Sequence, residues 1–225
     1  MKQNWHDLLF AHWALRPEKI RPLVPRELDL DLLDGDAYVA VTPFWMGGVR
    51  GRMMPPLPFI HTFCELNVRT YVRYQGIPGV FFLSLDAGSF PAVMGARKTY
   101  QLPYFHAAML VRSDGQEFQY SSSRLQEPRP ADFHARYWPV TEARVREKNS
   151  IEYFLTERYC LYTVHQGTVR RAGIHHAPWQ LQDAEAEFKV NTIPKADGLE
   201  LPDTKPDLLH YSKFLEVLVW WPEIA

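Results

Sequence analysis

Apolar and polar positions alternate over short stretches along much of this chain, most clearly in FCELNVRTYV at 63–72. Read as a strand, this piece sets Phe63, Glu65, Asn67, Arg69 and Tyr71 on one face and Cys64, Leu66, Val68, Thr70 and Val72 on the other. The second face is apolar and belongs to a core. The first carries an acid, an amide, a cation and two aromatic rings, a set that is costly to bury without a purpose. It reads as the wall of a small-molecule pocket.

The same patterning predicts the other elements. WHDLLFAHWAL at 5–15 sets Trp5, Leu8, Leu9 and Trp13 along one helical face, with a strand over 8–15 as the competing reading. RPEKIRPLVP (16–25) predicts a short helix that Pro17 starts and Pro22 and Pro25 stop. Asp34-Gly35 signals a hairpin between LDLDLL and AYVAVTPF, and MPPLP (54–58) reads as a stiff loop. Strands at 60–74 and 79–86 flank a GIPG turn. A short helix, with Met94, Arg97, Lys98 and Gln101 at near-helical spacing, occupies the middle of 86–103 and ends before Pro103. Asp114-Gly115 tips another hairpin, and a polar link, LQEPRPADFHARYWPV, leads into one more strand. Ser150 is a helix N-cap with Glu152 behind it, RYCLYTVH alternates like a strand, and 168–177 is a strand followed by a loop and a strand or helix. PKADGLELPDTKPDLLHYS is mostly loop, and KFLEVLVWWP is a closing strand. The expected fold is mainly β (α+β), an antiparallel sheet or barrel of nine to eleven strands with three or four short helices.

Composition adds bounds. At 225 residues the chain is read as one domain, 1–225, and seven Trp within 46% hydrophobic content provide a substantial core. Lys plus Arg (25) nearly balance Asp plus Glu (26), so no basic field draws it to nucleic acid or anionic lipid. No window has the length of a membrane span and no signal peptide is readable, which points to the cytoplasm. Cys64 and Cys160 read as buried thiols rather than a disulfide or metal pair. His175 and His176 are neighbours, so on a strand they face opposite sides and cannot chelate together; neither metal nor cofactor is expected. No nucleotide or hydrolase motif is present.

HWAL, DGDAYVAVTPFWM, FCELNVRTYV, GIPGVFFLSLDA, AR(x)4LPYFHAAM, FLTERYCLYT and HHAPWQL, in that order, resemble the YqjF-type DUF2071 group of conserved bacterial proteins over roughly residues 5 to 182. That group is similar to the acetoacetate decarboxylase superfamily. The resemblance implies a cone-shaped antiparallel β-barrel around a ligand cavity. In that superfamily a Pro-Lys-Lys segment supplies a Schiff-base lysine. Here Leu102-Pro103-Tyr104-Phe105 stands in its place, so imine chemistry is not expected. Glu65 and Arg97 stand where the superfamily has a glutamate and an arginine that hold the keto acid.

Candidate roles follow from these residues. Glu65 and Tyr104 suit acid–base work on a carbonyl or enolate, while Arg97, or Arg69, suits a carboxylate. His176 and Trp179 are placed against the same cavity. The competing readings are an interior Glu65–arginine salt bridge, a buried tyrosine and a hydrogen-bonded core imidazole. Lys98 reads as a surface lysine and Asp86 as a turn cap; for Glu157-Arg158-Tyr159 an internal ion pair to Glu65 or Asp86 competes with a ligand role. The expected partner is a small organic acid or carbonyl compound, aromatic members included, with the oligomeric state left open. Binding without reaction competes with a non-imine lyase or isomerase step. A partner-binding module using the 54–58 loop or VLVWWP as an edge strand is a third reading.

Overall fold

Residues 5–15 form no helix. In the computed structural model, which describes residues 1–51, 62–125 and 130–225, they belong to β1 (Lys2–Leu15), a strand of 14 residues. Leu9, Ala11 and Trp13 pack into one apolar cluster, and Leu8 and Phe10 into another. A strand buried on both faces shows a continuous apolar run instead of alternation, so its period is ambiguous in sequence.

After β1, α1 (Pro17–Ile20) begins on Pro17 and runs into a 3₁₀ turn at Arg21–Leu23, as the prolines predict. Asp34 and Gly35 both take positive φ (53° and 90°) in a tight turn closed by Leu33 and Asp36. The segment before that turn does not pair with the one after it. β2 (Asp29–Leu30) joins β4 (Phe63–Tyr74), while β3 (Ala37–Arg50) lies between β1 and β4. β5 (Ile77–Ala87) follows β4 through Gln75-Gly76, both at positive φ, so most of GIPG already lies in the strand. α2 (Phe90–Tyr100) is capped by Ser89, whose side chain accepts from the Ala92 N–H, and ends at a left-handed Gln101.

The hairpin of β6 (Tyr104–Ser113) and β7 (Phe118–Arg124) turns at Gly115, and β8 (Asp132–Pro139) packs beside it. Ser150 caps α3 (Ile151–Thr156) by accepting from the Tyr153 N–H. Then come β9 (Cys160–His165), β10 (Thr168–His176) and β11 (Gln182–Asn191), followed by α4 (Ile193–Ala196), a short helix within a stretch expected to be mostly loop. β12 (Leu208–Val219) and β13 (Glu223–Ile224) finish the chain. The 54–58 loop and the 126–129 part of the polar link lie outside the described residues.

The fold is mainly β with a few short helices, as expected. Among the described residues there are thirteen strands rather than nine to eleven, β2 and β13 being two-residue additions. The pairings return on themselves: β1, β3, β4, β5, β9, β10 and β12 each have neighbours on both sides within one circuit. Two of the pairings, β5 with β6 and β5 with β9, are parallel, which corrects the all-antiparallel expectation. The α2 crossover returns the chain beside β5 in the same direction. β12 pairs with β1, β10 and β11, so VLVWWP is not an edge strand. Both cysteines are free. Among the described residues no helix is long and apolar enough to cross a membrane.

Candidate functional site

The alternation of β4 builds one wall of a cavity of about 430 Å³. Phe63, Glu65, Asn67 and Arg69 face it, while Leu66, Val68 and Val72 on the other side enter the apolar core. On β5 the register slips between Val68 and Arg69 of the partner strand, opposite Leu83. This bulge lets Phe82 and Leu85 both line the cavity, and sends Ser84 and Asp86 to a separate polar cluster. α2 closes another side with its small residues Ala92, Gly95, Ala96 and Thr99.

Glu65 is 4% exposed. The Tyr104 hydroxyl donates to its Oε2 at 2.8 Å. Burial pushes the Glu65 carboxyl up to about 7, against the opposing pull of hydrogen bonds from Tyr104 and Asn67. The Tyr104 phenol is held well above its ordinary value, first by burial and then by the carboxylate beside it. Glu65 therefore exchanges a proton near neutral pH while Tyr104 keeps its own. Both groups are held from behind. Tyr120 on β7 sets its hydroxyl between the carbonyls of Phe44 and Glu65 (2.9 and 2.8 Å), and Arg97 Nε donates to the Tyr104 carbonyl at 2.7 Å.

Arg69 is 6% exposed and has no carboxylate partner among the described residues. Its guanidinium lies 5.1 Å from the centre of the Phe10 ring and 5.9 Å from that of Tyr71. Its buried Nε has no hydrogen-bond partner. Arg158, also buried, faces the same cavity; its Nε donates to the Phe154 carbonyl and its Nη1 pairs with Asp31, while Nη2 is unpartnered. Trp179 lines the cavity with an unpartnered indole Nε1. His176 binds the Ala177 carbonyl through Nδ1 at 2.8 Å, which puts the proton on Nδ1 and makes Nε2 the acceptor of the neutral ring. Arg69, Arg158 and Trp179 thus gather around Phe10 and Tyr71, the donor end of the cavity, and the lining also includes Phe63, Phe82, Leu85, Leu102 and Tyr100, with Trp221 stacked 5.7 Å from Tyr100.

A hollow of about 500 Å³ elsewhere, against His6, Asp7 and Phe214, contains none of the predicted residues. The Asp7 carboxylate there is already engaged by Trp45 and Tyr211. Among the described residues no group of three His, Cys, Asp or Glu side chains is placed to hold a metal.

The sequence matches the DUF2071 family, described as "Uncharacterized conserved protein (COG2071)", over residues 2–216. The chain belongs to the DUF2071 family. It is 46% identical over 220 residues to the uncharacterized protein YqjF of Bacillus subtilis (strain 168), covering 98% of this chain and 90% of that protein. Among solved structures it is similar to an acetoacetate decarboxylase from Legionella pneumophila, with a TM-score of 0.66, 11% identity, and coverage of 100% of this chain and 86% of that one. The enduracididine biosynthesis enzyme MppR, in complex with pyruvate, gives a TM-score of 0.66 at 11% identity, covering 99% and 89% of the two chains. These likenesses establish the fold.

In this DUF2071 chain Glu65, Arg69, Tyr104, His176 and Trp179 line one cavity. Arg97 is not among the lining residues: it sits in the last turn of α2, with its Nε on the Tyr104 backbone and its guanidinium 5.8 Å from the Phe105 ring. The α2 face toward the cavity is the small-residue one, and Met94 and Lys98 are exposed. Glu65 is hydrogen-bonded to Tyr104 rather than to an arginine. Arg158 pairs with Asp31, not with Glu65 or Asp86, a contact 127 residues apart that no local pattern announces. Asp86 caps no turn; it is buried against Arg124 at 2.8 Å. The sequence left Glu157-Arg158-Tyr159 between an internal ion pair and a ligand role without singling out Arg158 as a cavity wall, and small residues recurring at 92, 95, 96 and 99 were a readable signal for the α2 wall.

Proposed function

We propose that the cavity binds a small organic acid or carbonyl compound, with Arg69 as its anion anchor. One observation carries this reading: among the described residues Arg69 is a buried cation without a carboxylate partner, in a cavity whose other buried polar atoms without a partner are also donors. A desolvated charge left uncompensated costs several kcal/mol, and an arginine fork matches a carboxylate. Aromatic and aliphatic side chains in the lining suit an acid with an apolar body. The fold relatives, an acetoacetate decarboxylase and an enzyme in complex with pyruvate, add support for oxo-acids. No lysine is among the lining residues and Tyr104 stands at the wall, so the reading is not a Schiff-base decarboxylation.

A thermal-shift screen with oxo-acids and aromatic acids tests it. A ligand at about 100 times its Kd adds about 2.7 kcal/mol to stability, which raises Tm by roughly 5–10 °C. Arg69→Met removes the charge at similar volume. The variant is expected to lose the ligand shift while its ligand-free stability holds or rises by about 1–3 kcal/mol. Ligand shifts of equal size in Arg69→Met and wild type overturn the anchor.

A second reading, acid–base turnover of an enolisable acid as a non-imine lyase or isomerase, is favoured by the Tyr104–Glu65 hydrogen bond and by a carboxyl that titrates near 7. Turnover that Glu65→Gln and Tyr104→Phe leave unchanged removes it; recovery of unmodified ligand after long incubation leaves binding alone.

A further inference from the structure

The donor end of the cavity holds more positive charge than a single carboxylate neutralises. Arg69 and Arg158 are both buried and both line the cavity, and both guanidiniums lie against the same ring, 5.9 and 5.1 Å from the centre of Tyr71. The carboxylate in their neighbourhood is Asp31, which Arg158 reaches through Nη1. Asp31 is also shared: Arg73 Nε lies 2.5 Å from its other oxygen. Asp31 is thus divided between Arg158 and the half-exposed Arg73, and it is not paired with Arg69. Glu65, the acid that lines the cavity among the described residues, is hydrogen-bonded by Tyr104.

Hydrogen-bond geometry makes the same division. An acid seated on Arg69 satisfies the free Nε there, but the unpartnered Nη2 of Arg158 and Nε1 of Trp179 are two further buried donors lining the cavity. Each offers a hydrogen and accepts none, so each calls for an oxygen from the ligand. A buried donor left unmet carries a desolvation cost that a neutral apolar tail leaves in place.

We infer that the natural ligand is a dicarboxylic acid, one carboxylate on Arg69 and the second on Arg158 with Trp179, its carbon skeleton running along the apolar wall. This rests on the reading of the cavity as an acid-binding site and narrows it to a class with two anionic ends. With Asp31 committed to Arg73 and Arg158, the second carboxylate is what completes neutralisation of the Arg158 guanidinium.

The test compares acids that differ by one carboxylate, on the wild-type protein, by calorimetry or thermal shift. The pairs are 3-phenylpropanoate with phenylsuccinate and pentanoate with adipate, together with the monomethyl ester of each diacid. The diacids are expected to bind about tenfold or more tightly than the monoacids, with the monoesters falling back to monoacid affinity. Arg158→Gln, and Arg158→Gln combined with Asp31→Asn so that no lone buried carboxylate remains, should erase the diacid advantage while keeping the monoacid affinity. Arg69→Met should weaken both members of a pair. Monoacids and diacids that bind alike in the wild type, through Arg69, overturn the dicarboxylate and leave the acid-binding site standing. No binding by any of these acids overturns both. Because the first comparison needs no variant, it holds even where an Arg158 substitution fails to fold.

Discussion

Glu65 is a carboxyl buried in the cavity wall, an environment that disfavours its charged form. A glutamate ordinarily titrates at 4.5, and burial raises this one to about 7. Between those values the native state holds a proton that the unfolded chain has released, so stability falls as pH rises through this window and levels off above it. Glu65→Gln deletes that slope. Denaturation at about pH 4.5 and about pH 8 should show the variant gaining on wild type by about 3 kcal/mol across the interval. A difference that stays constant with pH means that Glu65 is ionised in the native protein, and the acid–base role goes with it. The residues of this wall were legible because β4 alternates cleanly: Glu65, Asn67 and Arg69 share the face that sequence assigned them. The roles of the arginines were not legible. Arg97 and Arg158 have the same chemistry, and what separates a cation on the Tyr104 backbone from one in the cavity is where α2 and the segment after α3 come to rest.

Among the elements, β5 carries the closest packing demand. Gly79 sits where β5 passes β9, and a Cβ there would lie 2.7 Å from the Tyr162 ring and 2.8 Å from the Cys160 carbonyl. The backbone oxygen cannot rotate away. Gly79→Ala should therefore lower the denaturant midpoint by an amount corresponding to about 1–3 kcal/mol with little change in m-value; a neutral substitution would mean that β5 and β9 are further apart than they stand here. The sequence showed a glycine between two prospective strands and invited a turn. The turn is made by Gln75-Gly76 instead, and Gly79 serves a contact with a strand some 80 residues later. Elements with their own local chemistry were readable: the short helix within 86–103, the Ser150-capped helix, the Asp34-Gly35 turn, and the hairpin tipped by Asp114-Gly115. β1 was ambiguous because burial on both faces erases the period that distinguishes a strand from a helix.

Across the molecule, Arg124 ties the end of β7 to β5 and to the segment after α4. It pairs with Asp86 at 2.8 Å and with Asp197 at 3.3 Å, donates to Ser84 Oγ at 3.2 Å, and stacks 3.9 Å from the Phe105 ring. Burial lifts the Asp86 carboxyl to about 6 even with this cation beside it. Arg124→Met removes from the interior the guanidinium that pairs with Asp86 and Asp197, and a loss of about 3–5 kcal/mol is expected at neutral pH. Adding Asp86→Asn and Asp197→Asn should restore much of it, and a triple variant no more stable than Arg124→Met would mean that packing around the guanidinium matters more than its charge.

The chain's own pattern was enough for a mainly β fold with short helices, for the mixed face of β4, and for the absence of a lysine at Tyr104, because alternation, caps, turn residues and residue identity are all local. The strand circuit, closed by β1 on β12, the parallel placement of β5 against β6 and β9, and the pairing of Arg158 with Asp31 came from contacts between separate segments of the chain, and Arg97 left the cavity where α2 came to rest against the Tyr104 backbone. Which of several chemically equivalent arginines is left buried without a counter-charge is settled by how those segments pack, and no spacing along the chain encodes it.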